Sequence, residues 1–495
     1  MGKVNLETLK SHLWKSADIL RGHIDAADYK NYIFGLLFLK RISDVFDEEA
    51  EKILSETGDK NLAFEDPDYH DFSVPEKARW NHLKSLTHNI GEAINKANDA
   101  LEENNPDSLE DVLSAVDFND KDRLPDHILS QLINHFSQIR LRNCDLEKPD
   151  ILGDAYEYLI AEFASSAGKK GGEFYTPKEV VELLVDLLDP KEGMRTCDPA
   201  CGSGGMLIQS VYHLREKGQN KRNIALYGQE INVGTWAICK MNLLLHRLPS
   251  AHIKRGDTLR NPQFITNGKL SQFDIVIANP PFSLKNWGYE NAQNDLYKRF
   301  RFGLPPKGYA DYAFVQHMIA ITKPHGKVGV VLPHGVLFRG GSEGKIRRGI
   351  IEEDILEAVI GLPSKLFYGA GIPACLFILN KNKKNNRKGK VFFLYGANDY
   401  LEGKKQNKLR NEDIDQIVSA FMEYRLIKKY CRPVPLSEIR ENDYNLNITR
   451  YIDVTEEEEL VDIQKTINEL KDLKKEYKKI EEKVFGYLKE LNYKV

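Results

Sequence analysis

Three short segments carry residue types that could do chemistry. The sharpest is Phe273-Asp274-Ile275-Val276-Ile277-Ala278-Asn279-Pro280-Pro281-Phe282. An apolar run enters a rigid double proline, which fixes two φ angles and removes two backbone donors. What remains is acceptor: the Asn279 side-chain oxygen and the Pro280 carbonyl, with the Phe282 ring beside them. Such a corner suits the planar amino group of a nucleobase, whose lone pair is delocalised into the ring. Two acceptors on its N–H bonds draw the nitrogen toward tetrahedral geometry and stabilise the positive charge that grows there as a methyl group arrives. An aromatic face holds a base that has left its duplex.

The second segment is Thr196-Cys197-Asp198-Pro199-Ala200-Cys201-Gly202-Ser203-Gly204-Gly205-Met206-Leu207. A strand ends on an acid and turns through small residues into a helix. Gly202, Gly204 and Gly205 allow close backbone approach to a ligand. A dinucleotide fingerprint fails, because Leu207 stands where its third glycine belongs. Asp198 repels a pyrophosphate and attracts a cation, so S-adenosylmethionine, with its ammonium and sulfonium, is the better-matched ligand. Glu230, closing the next strand, is placed to hold ribose hydroxyls. Asp257, after the third, is placed to accept from the adenine amine.

The third is Gly171-Gly172-Glu173-Phe174-Tyr175-Thr176-Pro177-Lys178. Thr176 reads as a helix N-cap and Pro177 as a first-turn residue. The functional alternative puts Thr176 and the nearby backbone against the methionine end of the cofactor.

These segments need a scaffold. Apolar runs at Arg195–Cys197, Ala225–Gln229, His252–Arg255, Phe273–Ala278, Lys327–Leu332, Ile355–Ile360 and Ala374–Leu379 read as strands. Helical patterns such as Pro177–Leu188 and Thr235–Leu245 separate the early ones, which predicts an α/β fold with a parallel sheet covered on both faces. Ligands in such sheets bind at the carboxyl ends of the strands. The basic stretch Lys381–Lys390 reads as a solvated hairpin loop, or alternatively as a phosphate-contacting loop. Before the sheet, Leu9, Leu13, Ala17 and Leu20, then Tyr29, Ile33, Leu36, Leu37, Leu39 and Ile42, recur at helical spacing. After it, Leu460, Ile463, Ile467, Leu470, Tyr477, Ile480, Val484 and Leu491 mark a long amphipathic helix that either seeks a partner groove or another helix or folds back on its own domain, with Thr455 and Glu458 as a possible capping box. The expected domains are 1–150 (helical), 151–450 (catalytic) and 451–495 (a helical tail for assembly).

The 495 residues are 41% hydrophobic and 29% charged, which suits a folded chain with a sizeable core. The net charge of -3 makes the whole chain no polycation, so any contact with nucleic acid needs local patches or a basic partner. Six scattered cysteines, without a second Cys/His pair at zinc spacing, read as reduced thiols and no metal site. The N-terminus has no apolar signal core, and no stretch reaches the ~18 apolar residues of a membrane span, so a cytoplasmic protein is expected.

Together the segments carry a resemblance. The chain resembles the modification subunit of type I restriction–modification systems, an adenine-N6 DNA methyltransferase. The resemblance rests on the helical domain around Tyr32–Phe46, on Glu173–Lys178, Asp198–Leu207 and Gly228–Asn232, and on Asn279–Phe282. It implies a Rossmann-like S-adenosylmethionine-dependent methyltransferase sheet with an N-terminal helical domain and a C-terminal helix. It implies that Glu173, Phe174, Tyr175, Thr176, Pro177, Lys178, Ser203, Gly204, Gly205 and Glu230 contact S-adenosylmethionine, and that Asn279, Pro280 and Phe282 grip the adenine. It also implies duplex DNA as substrate, a second modification subunit and a DNA-specificity subunit as partners, and a separate motor–nuclease subunit. Consistent with the last, Gly344-Lys345 is followed by Ile346 and no phosphate-loop motif occurs. Ser203 replaces a threonine of the family pattern, and Cys201 slightly widens the small-residue turn. On chemistry alone, cytosine N4, a protein glutamine amide and a catalytically idle scaffold stay open as alternatives.

Overall fold

Seven consecutive buried residues, Ala374–Asn380, and the six of Leu356–Gly361 show what the centre of this protein is: strands covered on both faces, with no polar alternation. The computed structural model describes residues 3–25, 28–148, 150–166, 175–220, 222–367, 373–404, 406–455 and 463–491. Its strands are β1 (Arg195–Asp198), β2 (Ala225–Glu230), β3 (His252–Arg255), β4 (Ile265–Thr266), β5 (Lys269–Leu270), β6 (Phe273–Ala278), β7 (Thr322–Pro333), β8 (Leu356–Gly361), β9 (Ala374–Asn380), β10 (Lys390–Tyr395) and β11 (Cys431–Pro435). Among the described residues, β4 and β5 form a separate hairpin and the others one sheet in the order β11-β10-β8-β9-β7-β6-β1-β2-β3.

From β3 to β7 every pairing is parallel. The expectation of an all-parallel sheet fails beyond that point. β9 runs antiparallel between β7 and β8, and β11 antiparallel to β10. Among the described residues no helix separates β8 from β9, so the chain lacks the crossover that a parallel return requires and turns back beside its predecessor.

The reading of Lys381–Lys390 as a solvated hairpin is also corrected. The strands on either side of it, β9 and β10, are both paired to β8 and not to each other, so the segment crosses over the end of β8. Two of its cations are buried. Lys383 Nζ lies 2.7 Å from Asp354, and Arg387 Nη1 lies 3.1 Å from Glu357. Buried charges need partners of this kind.

Helices cover both faces. On one, the helix Lys178–Leu188 buries Val180, Leu184, Val185 and Leu188 over Ile275, Ile277 and Val331. Gly329 permits the close approach, since a Cβ there would meet Leu188 Cδ1 at 2.7 Å. Beside the helix Lys178–Leu188 and packed on it, the helix Gly205–Glu216 sends Leu207 and Val211, together with Trp236 and Leu243 of Val233–Leu245, into the core of the N-terminal helices, while Asp311–Ala320, in the oppositely directed crossover from β6 to β7, covers the other face. Those helices, chiefly Leu6–Leu20, Tyr29–Thr57, Ile90–Asn104, Asp126–Phe136 and Ile151–Ser166, bury the residues picked out by their spacing, Leu9 through Ile42. The helical region and the first half of the sheet thus share one apolar core.

Residues 1–452 form one compact unit and 453–495 a second. Tyr451 and Ile452 are buried in the first, with the Tyr451 ring stacked on Phe393 at 4.2 Å. In the second, the helix Ile463–Glu490 leaves Ile463, Leu470, Leu473, Tyr477 and Ile480 exposed and buries none of its residues. Glu458, half of the expected capping box, and Leu460 lie outside the described residues. All six cysteines are free thiols, and Cys144 alone among them is exposed. No helix among the described residues is long and apolar enough to cross a membrane.

Candidate active site

The strand order sets the site. Adjacent strands β3, β2, β1 and β6 each end at the same edge, so Asp257, Glu230, Asp198 and Asn279 follow one another along it. One cleft receives them all. It is lined by Tyr175, Thr176, Lys178, Asp198, Gly202, Ser203, Gly205, Glu230, Asp257, Asn279 and Pro281 among the residues singled out from sequence. Pro177, Gly204, Pro280 and Phe282 are not among its lining residues, and Glu173 and Phe174 lie outside the described residues.

The glycine turn is shaped by its neighbours. Gly202 has φ +52° and Gly204 φ +85°, left-handed values that favour glycine. A Cβ on Gly204 would also meet Cys239 Sγ at 2.9 Å. The turn is pinned to β2, since the Gly202 N–H donates to Glu230 Oε2 at 3.0 Å while Asn232 N–H donates to Oε1 at 2.8 Å. Asn242 Nδ2 holds the Ser203 carbonyl at 2.9 Å.

Asp198 is buried, and its Oδ1 accepts from the Ala200 N–H at 3.0 Å. Burial pushes its carboxyl up to about 8 against the pull of that N–H, and the charge of Glu230 adds to the rise. Burial likewise raises Glu230. Two desolvated carboxyls, with no cation bonded to them among the described residues, are a setting that a positively charged ligand improves. Asp257 Oδ1 accepts from the Leu259 and Arg260 N–H groups at 2.9 and 3.1 Å. Below it, buried Arg299 donates to the Thr258 and Leu259 carbonyls at 3.0 and 2.7 Å. Thr258 Oγ1 donates to the Pro199 carbonyl at 2.6 Å, tying the loop after β3 to the loop after β1.

At β6, Asn279 Nδ2 donates to Thr176 Oγ1 at 2.9 Å. Asn279 Oδ1 is buried and has no hydrogen-bond partner among the described residues. Thr176 is therefore not the helix N-cap. Pro177 takes that place, its carbonyl accepting from Val180 and Val181 N–H groups, and the Thr176 hydroxyl is engaged by Asn279 instead. The next residues of the turn are anchored from outside: Ser283 N–H donates to Asp311 Oδ1 at 2.8 Å, and Asp311 is paired with Arg339 at 2.6 Å. The Phe282 ring is half-buried and packs edge-on against Phe367, with centroids 5.8 Å apart.

Sequence reading missed Glu157, Met206, Gln209, Gln229, Ile231, Leu284 and Phe314 in the lining. Gln229 and Ile231 flank Glu230 and were open to discovery by adjacency. Glu157 and Phe314 come from helices whose local pattern says only that they pack.

The edge thus offers a carboxylate for a cation, acidic groups and apolar surface for a nucleoside, and an unsatisfied amide oxygen two strands from Glu230. These residues fit S-adenosylmethionine beside an amine acceptor.

Known proteins agree with this geometry. The profile of the N-6 DNA Methylase family matches residues 147–460, and that of the HsdM N-terminal domain matches 9–136. The chain is 37% identical to the type I restriction enzyme MjaVII methylase subunit of Methanocaldococcus jannaschii, over 98% of this chain and 85% of that one. It is 30% identical to the MpnII methylase subunit of Mycoplasma pneumoniae, over 94% of each. Its fold is that of the type I restriction–modification methyltransferase subunit of Streptococcus thermophilus, with TM-score 0.79 and 31% identity over 91% of this chain and 100% of that one. The match to N-6 DNA methylases favours adenine over cytosine N4 and over a glutamine amide. The chain belongs to the methylase subunits of type I restriction enzymes, DNA methyltransferases that use S-adenosylmethionine to modify adenine at N6.

Proposed function

We propose that the cleft holds S-adenosylmethionine with its nucleoside over β2 and β3 and its methyl group facing Asn279, and that the target adenine enters flipped out of duplex DNA. The cofactor supplies an electrophilic methyl group on a sulfonium. Glu230 accepts from the ribose, Asp257 from the adenine of the cofactor, and Asp198 supplies negative potential for its cationic end. The backbone at Gly202, Ser203 and Gly205 lets the ligand lie close.

For the target base, Asn279 Oδ1 and the Pro280 carbonyl accept from the N6 amine. Pro281 keeps the turn stiff, so these acceptors need no reorganisation as charge builds on nitrogen. Phe282, braced by Phe367, offers the aromatic surface at this corner. The observation that carries this reading is the buried, unsatisfied Asn279 Oδ1 beside the cleft. A buried acceptor left unmade costs about 1–3 kcal/mol, which an incoming N–H recovers. Two buried desolvated carboxyls, Asp198 and Glu230, support the placement of the cofactor.

Residues 1–150, 151–450 and 451–495 then serve as a helical assembly domain, a catalytic domain and a tail. The net charge of -3 and the exposed apolar stripe of the tail support partners: a DNA-specificity subunit, a second copy of this chain, and a motor–nuclease subunit in the complete complex. The free thiols fit the reducing cytoplasm, where the DNA substrate lies.

The test is transfer of a tritiated methyl group to cognate DNA by the assembled complex. Asn279→Ala is expected to lower turnover by about a hundredfold or more, the scale for losing one preorganised polar contact to the transition state. Undiminished turnover rejects the mechanism.

A further inference from the structure

One carboxylate in the cleft wall has no use in the scheme above. Glu157 projects from the helix Ile151–Ser166, whose neighbouring residues Tyr156 and Leu159 are buried in the N-terminal core. It lines the cleft together with Thr176, Lys178 and Asp198. Among the described residues its carboxylate makes no hydrogen bond and no ion pair, so it does not hold the fold together there. Burial lifts it to about 7, against the field of Lys178 and reinforced by Asp154 one turn earlier. A desolvated acid in a cleft, without a structural partner, marks a place where a ligand completes the charge balance.

Its position along the cleft narrows the ligand. Asp257 and Glu230 lie over β3 and β2, at one end of the row. Thr176, bonded to Asn279, lies over β6 at the other. Lys178, two residues from Thr176, is the cation whose field reaches Glu157. Glu157 and Lys178 therefore stand together, away from the nucleoside end. The only part of S-adenosylmethionine remaining for that end is its amino acid, which carries an α-ammonium and an α-carboxylate. Asp198, whose Oδ1 accepts from the Ala200 N–H, borders the same part of the cleft, so an ammonium there has two carboxylates beside it.

We infer that Glu157 accepts hydrogen bonds from the α-ammonium of the methyl donor while Lys178 faces its α-carboxylate, so that this pair reads the zwitterionic end of the cofactor. The assignment makes Glu157 a binding residue supplied by the helix that joins the N-terminal region to the sheet. It rests on placing the donor in this cleft.

Titration calorimetry on the full-length chain separates the two claims. The probes are S-adenosylhomocysteine, which keeps the zwitterion, and 5′-methylthioadenosine, which lacks it. Glu157→Gln is expected to weaken S-adenosylhomocysteine about ten- to a hundredfold, the range for losing a charged hydrogen bond. It should leave 5′-methylthioadenosine within about twofold, because only the amino-acid end is touched. Lys178→Met, on a different helix, should show the same split. Equal losses for both ligands, or native affinity of both variants for S-adenosylhomocysteine, overturn the role of Glu157 and Lys178. If the unmodified chain binds neither ligand, the placement of the donor itself fails.

Discussion

Asn279 and Thr176, 103 residues apart in sequence, are joined by a hydrogen bond of 2.9 Å from the Asn279 amide to the Thr176 hydroxyl. A hydroxyl can donate as well as accept, and here it accepts, from Nδ2. With Nδ2 committed to Thr176, the oxygen remains as an acceptor, which is the polarity an incoming amine needs. It also couples the start of the helix Lys178–Leu188 to the end of β6, so the Thr176 and Asn279 walls of the cleft are registered against each other.

Removing the Thr176 hydroxyl should therefore act through Asn279. Thr176→Val keeps the shape and deletes the acceptor, at a cost of about 1 kcal/mol in a bond that orients the amide. Turnover in the methyl-transfer assay is expected to fall about fivefold to tenfold, and Thr176→Ser should restore most of it. Native turnover in Thr176→Val would show that the amide is oriented by other means.

The Asp198 carboxyl makes both stability and donor binding depend on pH. Its folded-state value of about 8 lies above the ordinary carboxyl range, so between roughly pH 4 and 8 the folded protein holds a proton that the unfolded chain has lost. Stability of the unliganded protein thus falls as pH rises across that window. Asp198→Asn removes the penalty, and its melting temperature should exceed the native one by a margin that widens toward pH 8. Because a cation binds the ionised form, native affinity for S-adenosylmethionine should climb over the same range. A pH-independent difference between the two proteins would contradict this account.

Neighbouring glycines should behave differently. Gly204 has φ +85° and faces Cys239 Sγ, so Gly204→Ala is expected to destabilise the fold by about 1–3 kcal/mol. Gly205 borders the cleft, and a Cβ placed on it would have nothing within 4 Å among the described residues. Gly205→Ala should leave thermal stability unchanged and weaken donor binding. Thermal melts alongside calorimetry distinguish the two.

Truncation after Ile452 should leave donor binding intact. Tyr451 and Ile452 are buried in the first unit, and Arg432 Nε holds the Tyr451 carbonyl at 2.6 Å. The helix beyond exposes its apolar stripe, so its loss should weaken assembly with the proposed specificity subunit, measured by size-exclusion chromatography of the mixed subunits. Unchanged assembly would assign the stripe another role.

Local sequence wrote the punctuation of the site. An acid closing a strand, glycines opening a helix and a double proline ending another strand are instructions carried by φ preferences and missing donors. Asp198, Gly202 and Asn279 were legible for that reason, as was the helical spacing from Leu9 to Ile42. Whatever depends on distant partners came from packing. β9 slots between β7 and β8 because pairing partners are chosen across the sheet, not along the chain. Lys383 and Arg387 are buried because Asp354 and Glu357 come to meet them. Thr176 caps no helix because Asn279 claims its hydroxyl, and Glu157 faces the cleft only because its helix packs where it does. Local pattern fixes backbone conformation, whereas burial and charge pairing are properties of neighbours that sequence spacing does not record.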